Sequence, residues 1–371
     1  MQELFGNLLY TNWQQVVMWC IGGLLIYLAI KKDMEPSLLL PMGFGAILVN
    51  LPNSGAVTLA GAAEEGIIDI LFGAGIANEL FPLLLFIGIG AMIDFGPLLT
   101  NPKLMLFGAA AQFGIFFTLS MASYLGFDLK DAASIAIIGA ADGPTSIFVA
   151  NHFGSKYIGA IIVAAYSYMA LVPIVQPPII KLITTKKERL IRMPYEQKSV
   201  SKTVKILFPI VITMITGIVS PKSVSLIGFL MFGNLIRECG VLNSLSESAQ
   251  NQLANLVTLL LGITVSTKMQ AHLFLTKETI MILVLGLVAF VFDTFGGVML
   301  AKFFNLFLKK KINPMIGASG ISAFPMSARV VHKMGLAEDN QNFLLMHSIG
   351  VNVSGQIASV IAGGLILNLI H

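Results

Sequence analysis

The sequence predicts an all-α polytopic membrane protein of about ten transmembrane helices plus two re-entrant hairpins, arranged as an inverted repeat. Three observations carry that expectation. Apolar residues make up 56% of the 371-residue chain and charged residues only 11%, against roughly 25% charged in an average soluble protein, and the mean hydropathy is +0.84. The apolar residues gather into runs near the ~20 positions that cross a bilayer. Two of those runs are broken by Gly, Pro and polar side chains at corresponding places in the two halves, which is the sequence pointer to a transporter site. Such a composition excludes a soluble globule, and with it a soluble nucleic-acid-binding protein.

The stretch Met1 to Gln15 holds Glu3 and no Lys or Arg, so it lacks the basic region of a cleavable leader and the first apolar run is expected to be retained. That run, Trp13 to Ile30, is the first span, and residues 1–36 are read as an amino-terminal unit. Residues 37–180 form the first repeat: a short segment Ser37 to Leu51, an acidic outer loop Pro52 to Glu79, the spans Leu80 to Leu99 and Leu104 to Leu125, the hairpin 132–149, and the span Ile158 to Ile180. Residues 181–222 hold a basic cytoplasmic loop and a linking span, Ile206 to Val219. Residues 223–371 form the second repeat, with segments Ser223 to Leu235 and Leu253 to Thr267, the span Thr279 to Leu300, the hairpin 312–331 and the span Phe343 to Ile370.

The repeat rests on three pairings. MGFGAILVN parallels IGFLMFGNL, FPLLLFIGIGAMIDFGPLL parallels LVTLLLGITVSTKMQAHLF, and IIGAADGPTS parallels MIGASGISAFP. Charge sets the orientation. Eight of the 23 basic residues crowd into Lys181 to Lys205. With the amino terminus outside, that loop, Lys31, Lys32, Lys103, Arg237 and Lys309 to Lys311 all fall in the cytoplasm. The linking span then makes the second half enter from the opposite side, so the two hairpin tips are expected to meet near the midplane.

An ionisable residue at membrane depth is a functional-site hypothesis by default. Asp142, in Gly139-Ala140-Ala141-Asp142-Gly143-Pro144-Thr145-Ser146, is one, and Gly and Pro there free backbone carbonyls that only protein or a cavity can satisfy. The oxygens of Asp142, Thr145 and Ser146, with those of Asn313, Ser319, Ser322 and Ser327 in the second hairpin, suit a hard cation such as sodium better than a transition metal. His152, His272, His332, His347 and His371 are scattered, and Cys20 and Cys239 lack ligand spacing. Tyr168 lies mid-span ahead of the Pro-rich stretch Val172 to Pro178, and its phenol is a packing residue or a proton relay. Asn352 holds the comparable place in the second half. Arg329 suits a planar carboxylate arriving from the cytoplasm; snorkelling to the interface is the alternative. Glu79 and Asp94 are expected at helix ends, and the role of Asp293, mid-span, stays open. The absence of a G-x-x-x-x-G-K-[ST] loop and of a G-x-S-x-G elbow leaves an ion gradient or a partner as the energy source.

The segments GIGAMIDFGPLL, GAAAQFGIF, IIGAADGPTSIF, AAYSYMALVPIVQPP, KINPMIGASGISAFPMSARV and QNFLLMH run end to end through the chain. Together they resemble the beta subunit of the biotin-dependent, sodium-pumping decarboxylases of the methylmalonyl-CoA, glutaconyl-CoA and oxaloacetate type. The resemblance implies a bacterial inner-membrane subunit that decarboxylates carboxybiotin while exporting sodium and consuming a proton. It implies Asp142 as the sodium-binding carboxylate, Tyr168 as a sodium ligand or part of the proton path, and Asn313, Gly317, Ser322, Arg329 and Asn352 as the opposed hairpin and carboxybiotin site. Implied partners are a biotin-carrier protein, a carboxyltransferase alpha subunit, small membrane subunits and further copies of the beta chain. Met-Lys-Met, the usual context of biotinyl-lysine, is absent, so the carboxybiotin is expected on a partner. The short loop Pro52 to Glu79 favours a methylmalonyl-CoA or glutaconyl-CoA system over an oxaloacetate one.

The residues alone leave two other readings. One is a stand-alone sodium- or proton-coupled secondary transporter of a small anion, which the inverted repeat suits equally well. The other is a passive channel or scaffold within an assembly.

Overall fold

Hydrocarbon leaves no water to satisfy backbone polar groups, so an apolar chain of this kind closes its hydrogen bonds within helices. The computed structural model describes residues 11–59, 61, 64–194 and 200–370, and every regular element among them is helical. The amino-terminal stretch read for a leader begins outside these residues, as does His371.

In the first half, α1 (Trp13–Lys32) is followed by α2 (Pro36–Val49), α3 (Ile67–Phe72) with a π turn at Gly73–Ala77, and α4 (Leu80–Met92). Then come α5 (Gly96–Thr100), α6 (Met105–Ala111), α7 (Phe113–Tyr124), α8 (Leu129–Ala136), a 3-10 turn Ile137–Ala140, α9 (Gly143–His152) and α10 (Ile158–Ile183). The short α11 (Lys186–Arg189) lies in the basic loop, and α12 (Lys202–Val219) leads to α13 (Val224–Cys239). The second half continues with α14 (Asn243–Ser248), a π turn Ala249–Leu253, α15 (Ala254–Val265), a 3-10 turn Ser266–Met269 and α16 (Ala271–Phe274). The long α17 (Lys277–Phe307), a 3-10 turn Pro314–Gly320, α18 (Met326–Glu338) and α19 (Leu345–Leu369) complete it.

Among the described residues, α1, Pro102–Tyr124, α10, α17 and α19 are long and apolar enough to cross a bilayer alone, and the pair Ile67–Ala77 and Leu80–Met92, bent by 58°, makes a sixth. The 14 residues of α2 rise only about 21 Å, short of the ~30 Å hydrocarbon core.

Two expected spans are interrupted. Leu80 to Leu99 is not one helix: α4 ends at Met92, and Asp94 takes the Gly96 amide at 2.8 Å before Pro97 opens α5. Leu104 to Leu125 is divided at Gln112, whose side chain bonds back to the Gly108 carbonyl at 2.9 Å. Both hairpins are helix interruptions. The first passes from α8 through the 3-10 turn and Ala141, at φ 52°, into α9. The second runs through Pro314–Gly320 into α18, which extends to Glu338, beyond the expected limit at Val331.

The apolar core fills the space around the two hairpins, whose residues 132–150 and 313–323 are buried throughout. Close approach sets the packing there. Gly297 of α17 faces Gly317 of the second hairpin so tightly that a Cβ on either would overlap the other's carbonyl. Small residues let helix backbones meet in this way within a membrane.

Candidate functional site

Asp142 is the N-cap of α9, and its Oδ1 accepts the Thr145 amide at 3.2 Å. Asp is a favoured N-cap because its oxygen satisfies a helix-start amide, and Pro144 in the first turn has no amide to satisfy. The residue is 3% exposed. Its Oδ2 collects four side-chain donors: Thr145 Oγ1 at 2.8 Å, Ser322 Oγ at 3.0 Å, Gln356 Nε2 at 3.1 Å and Ser359 Oγ at 2.8 Å. Three elements therefore converge on one carboxylate: the first hairpin, the second hairpin and α19. The tips also meet directly, since the Ser322 amide donates to the Ala140 carbonyl at 2.9 Å. Ser146 Oγ donates to the Asp142 carbonyl at 2.8 Å and locks the turn.

The chemistry of this donor set fits an alkali cation. A carboxylate, three hydroxyls and a carboxamide lie together, all hard oxygen ligands or their carriers. Each hydroxyl has one proton and two lone pairs, so a cation at the carboxylate can be met by the same oxygens that now donate to it. Among the described residues no group of three or more His, Cys, Asp and Glu is placed to hold a transition metal.

The other residues singled out from sequence take distinct places. Asn352 lies on α19 one turn before Gln356, and its Nδ2 donates to the Ile321 carbonyl at 2.7 Å, beside Ser322. Its Oδ1 is buried without a hydrogen-bond partner among the described residues. Ser327 binds Gln176 and the Ala318 carbonyl, fixing the second hairpin to α10. Asn313 sits at the base of that hairpin, where its Nδ2 donates to the carbonyls of Arg189 and Ile191 at 2.8 and 2.9 Å. Gly317 serves the close packing with α17. Tyr168 donates its hydroxyl to the Leu283 carbonyl, and its ring lies against Gly286 and the cluster that holds Ile138. The tyrosine whose ring touches the Asp142 turn is Tyr166, packed on Gly143, fully buried, with a hydroxyl that has no hydrogen-bond partner among the described residues.

Arg329 lies apart from Asp142, in a cleft of about 590 Å³ lined with Asp33, Glu35, Pro173, Pro177 and Lys333. Burial pushes the Glu35 carboxyl above its ordinary value, the Arg329 guanidinium opposes that rise and Asp33 adds to it. The cleft shares its side of the molecule with the carboxy-terminal end of α1, where Lys31 and Lys32 lie. Asp94 closes the end of α4. Burial opposes its ionisation, but the Gly96 amide and Lys205, at 3.2 Å, hold its carboxyl below the ordinary range.

Gln356 and Ser359 are the residues that sequence reasoning missed. A signal existed: Asn352, Gln356 and Ser359 recur at i, i+4 and i+7, a polar stripe on one face of an apolar helix.

The model of the Na+-transporting oxaloacetate decarboxylase beta subunit matches residues 14–370. The glutaconyl-CoA decarboxylase subunit beta of Acidaminococcus fermentans is 48% identical over 359 residues, covering 97% of this chain and 94% of the relative. The methylmalonyl-CoA decarboxylase subunit beta of Veillonella parvula is 48% identical over 365 residues, covering 98% and 95%. The oxaloacetate decarboxylase beta chain of Klebsiella pneumoniae is 44% identical over 420 residues, covering 98% and 97%. A match of that breadth, on a helical membrane chain with a buried oxygen site, leaves one assignment: the protein belongs to the family of beta subunits of sodium-transporting decarboxylases.

Proposed function

We propose that this chain decarboxylates carboxybiotin delivered on a partner subunit and couples that step to sodium export with consumption of a proton, in a complex of glutaconyl-CoA or methylmalonyl-CoA type. The observation that carries the reading is the Asp142 cluster, a single buried carboxylate where both hairpins and α19 meet. The substrate class is supported by length. The Klebsiella alignment spans 420 residues, more than the 371 of this chain, so that relative carries insertions, while the Acidaminococcus alignment fits within the chain at 359.

Ten spans in an inverted repeat would account for the packing, and the helix contacts support that reading. In the reading that pairs α2 with α13 and α4 with α15, each helix packs on its counterpart's neighbour: α4 on α13, and α2 on α15. The same exchange recurs in α10 on α17 and α19 on α6, and α1 on α2 is echoed by α12 on α13. A π turn precedes both α4 and α15. A two-fold relation between residues 37–180 and 223–371 produces this exchange as a matter of course. With the amino terminus outside a bacterial inner membrane, the Arg329 cleft opens to the cytoplasm. There the guanidinium would hold the carboxylate of the incoming group, and the partners would be a biotin carrier, a carboxyltransferase alpha subunit, small membrane subunits and further beta chains. Carboxybiotin supplies the favourable release of carbon dioxide; the chain's own residues bind, orient and exchange cations.

Sodium and a proton compete for Asp142 in this scheme. Moving one charge outward against 100 mV costs roughly 2.3 kcal/mol, and a proton entering in the same cycle returns that electrical work. Tyr168, Asn313, Ser322 and Asn352 would shape the path between cleft and cluster, and Gly317 its packing. The test is carbon dioxide release from free carboxybiotin by the reconstituted chain, with and without sodium, beside Asp142→Asn. Sodium-dependent release lost in the variant is expected. Full release in the variant removes Asp142 from the site, and no release with partner subunits supplied returns the secondary-transporter reading.

A further inference from the structure

Asp293 stands in the middle of the 31-residue α17 and is fully buried. Its Oδ1 accepts the Gly114 amide at 2.6 Å. It thus caps the start of α7 from a neighbouring helix, at the break where Gln112 interrupts the chain. Its Oδ2 has no hydrogen-bond partner among the described residues. That oxygen points at the first hairpin: a Cβ on Gly139 would lie 2.7 Å from Oδ2 and 2.6 Å from the Ala289 methyl. Gly139 is three residues before Asp142, and the next residue, Ala140, gives its carbonyl to the Ser322 amide.

We propose that Asp293 carries a proton on Oδ2 and is the positioning residue that lets the first hairpin lie against α17 with Asp142 at the tip. A buried carboxylate oxygen without a donor is strongly disfavoured. A cation must therefore neutralise it, and space selects which one. Hard metal ions take about six oxygens, whereas the gap between Gly139, Oδ2 and the Ala289 methyl is too narrow for a single added carbon. A proton fits there. Loss of that proton would set an uncompensated charge against the hairpin backbone and displace the tip that carries Asp142.

The groups that face this carboxyl from the packed elements are few. The first hairpin brings Asp142; α10 brings Tyr166, packed on Gly143, Tyr168, bonded to the Leu283 carbonyl, and Lys181 in its last turn; α8 brings Lys130 and Asp131 at its far end, where Asp131 lies 3.9 Å from Lys156. The turn Pro314–Gly320 and α6 bring no titratable side chain, and α7 brings only Tyr124 at its last position. Within α17, Lys277, Glu278 and Lys302 lie near the two ends.

The inference rests on reading the first hairpin as the ion-binding element, but its first test does not. Infrared spectra of the reconstituted full chain should show the C=O stretch of a protonated carboxylic acid at neutral pH, lost in Asp293→Asn and kept in Asp142→Asn; titrating the band in the wild-type chain reads the same group without any variant. Absence of the band, or its survival in Asp293→Asn, overturns the proposal. In the decarboxylation assay, Asp293→Asn should stay within about threefold of the wild type, because the amide oxygen still accepts from Gly114, and should lose the alkaline fall in rate. An unchanged pH profile overturns the positioning role. A rise of more than about tenfold in half-saturating sodium replaces the proton with a metal ion and overturns the assignment.

Discussion

Asp142 holds its position through five donors from three elements, so in the proposed scheme the hydroxyls around it would divide the work of binding a cation. Ser359→Ala removes one hydrogen bond to a charged group, worth about 1.5–3 kcal/mol. The expected result is a rise of roughly tenfold or more in half-saturating sodium, read from carbon dioxide release against sodium concentration; an unshifted titration removes Ser359 from the site. Glu35 stands beside Arg329 at the other end of the proposed path. Its raised value means that the folded chain holds the proton more tightly than the unfolded one. That contribution is complete below the ordinary carboxyl value and is lost as pH rises through the raised one. In the same interval Glu35 becomes a charged competitor for Arg329, so half-saturating carboxybiotin should rise with pH in the wild type and stay flat in Glu35→Gln. Asp142 was legible in the sequence because an acid between Gly and Pro in an apolar run has few structural explanations. Gln356 and Ser359 were not, because single polar residues on a membrane helix look the same whether they face a neighbour or an ion. Tyr166 and Tyr168 show the same limit: two residues apart on one helix, they face different clusters, and only the rotation of α10 decides which ring reaches the Asp142 turn.

The elements are built for close approach rather than for bulk. Gly317→Val would force a side chain into the α17 backbone, and overpacking of this kind costs about 1–3 kcal/mol. A lower thermal midpoint in detergent and lost activity are expected, while Gly23→Leu, with nothing within 4 Å of its Cβ, should change neither; equal stability of both variants would refute the packing argument. Hydropathy found the apolar runs but not their internal breaks. An averaging window passes over Gln112 and the Asp94–Gly96 turn because their neighbours are apolar on both sides. The π turns at Gly73–Ala77 and Ala249–Leu253 leave no compositional mark at all, since a π turn is one extra residue in an otherwise ordinary helix.

For the molecule as a whole, orientation is the property that charge placement foretells and packing leaves open. In a chain with Cys20 and Cys239 replaced by Ser, Gly55→Cys should react with an impermeant maleimide in intact cells, and Lys310→Cys only after permeabilisation. The opposite pattern would invert the proposed topology and place the Arg329 cleft outside. One bond described above also limits how the pump can fail. The Ser322 amide and the Ala140 carbonyl join the hairpin tips through backbone alone, so only a proline at position 322 could delete the donor. A buried amide stripped of its acceptor costs about 1–3 kcal/mol. Parting the tips without a ligand to take up the freed groups is therefore penalised, which in the proposed scheme disfavours the return of sodium through a half-open tip. In that scheme resistance to leakage would reside in the main chain, where substitution has least reach.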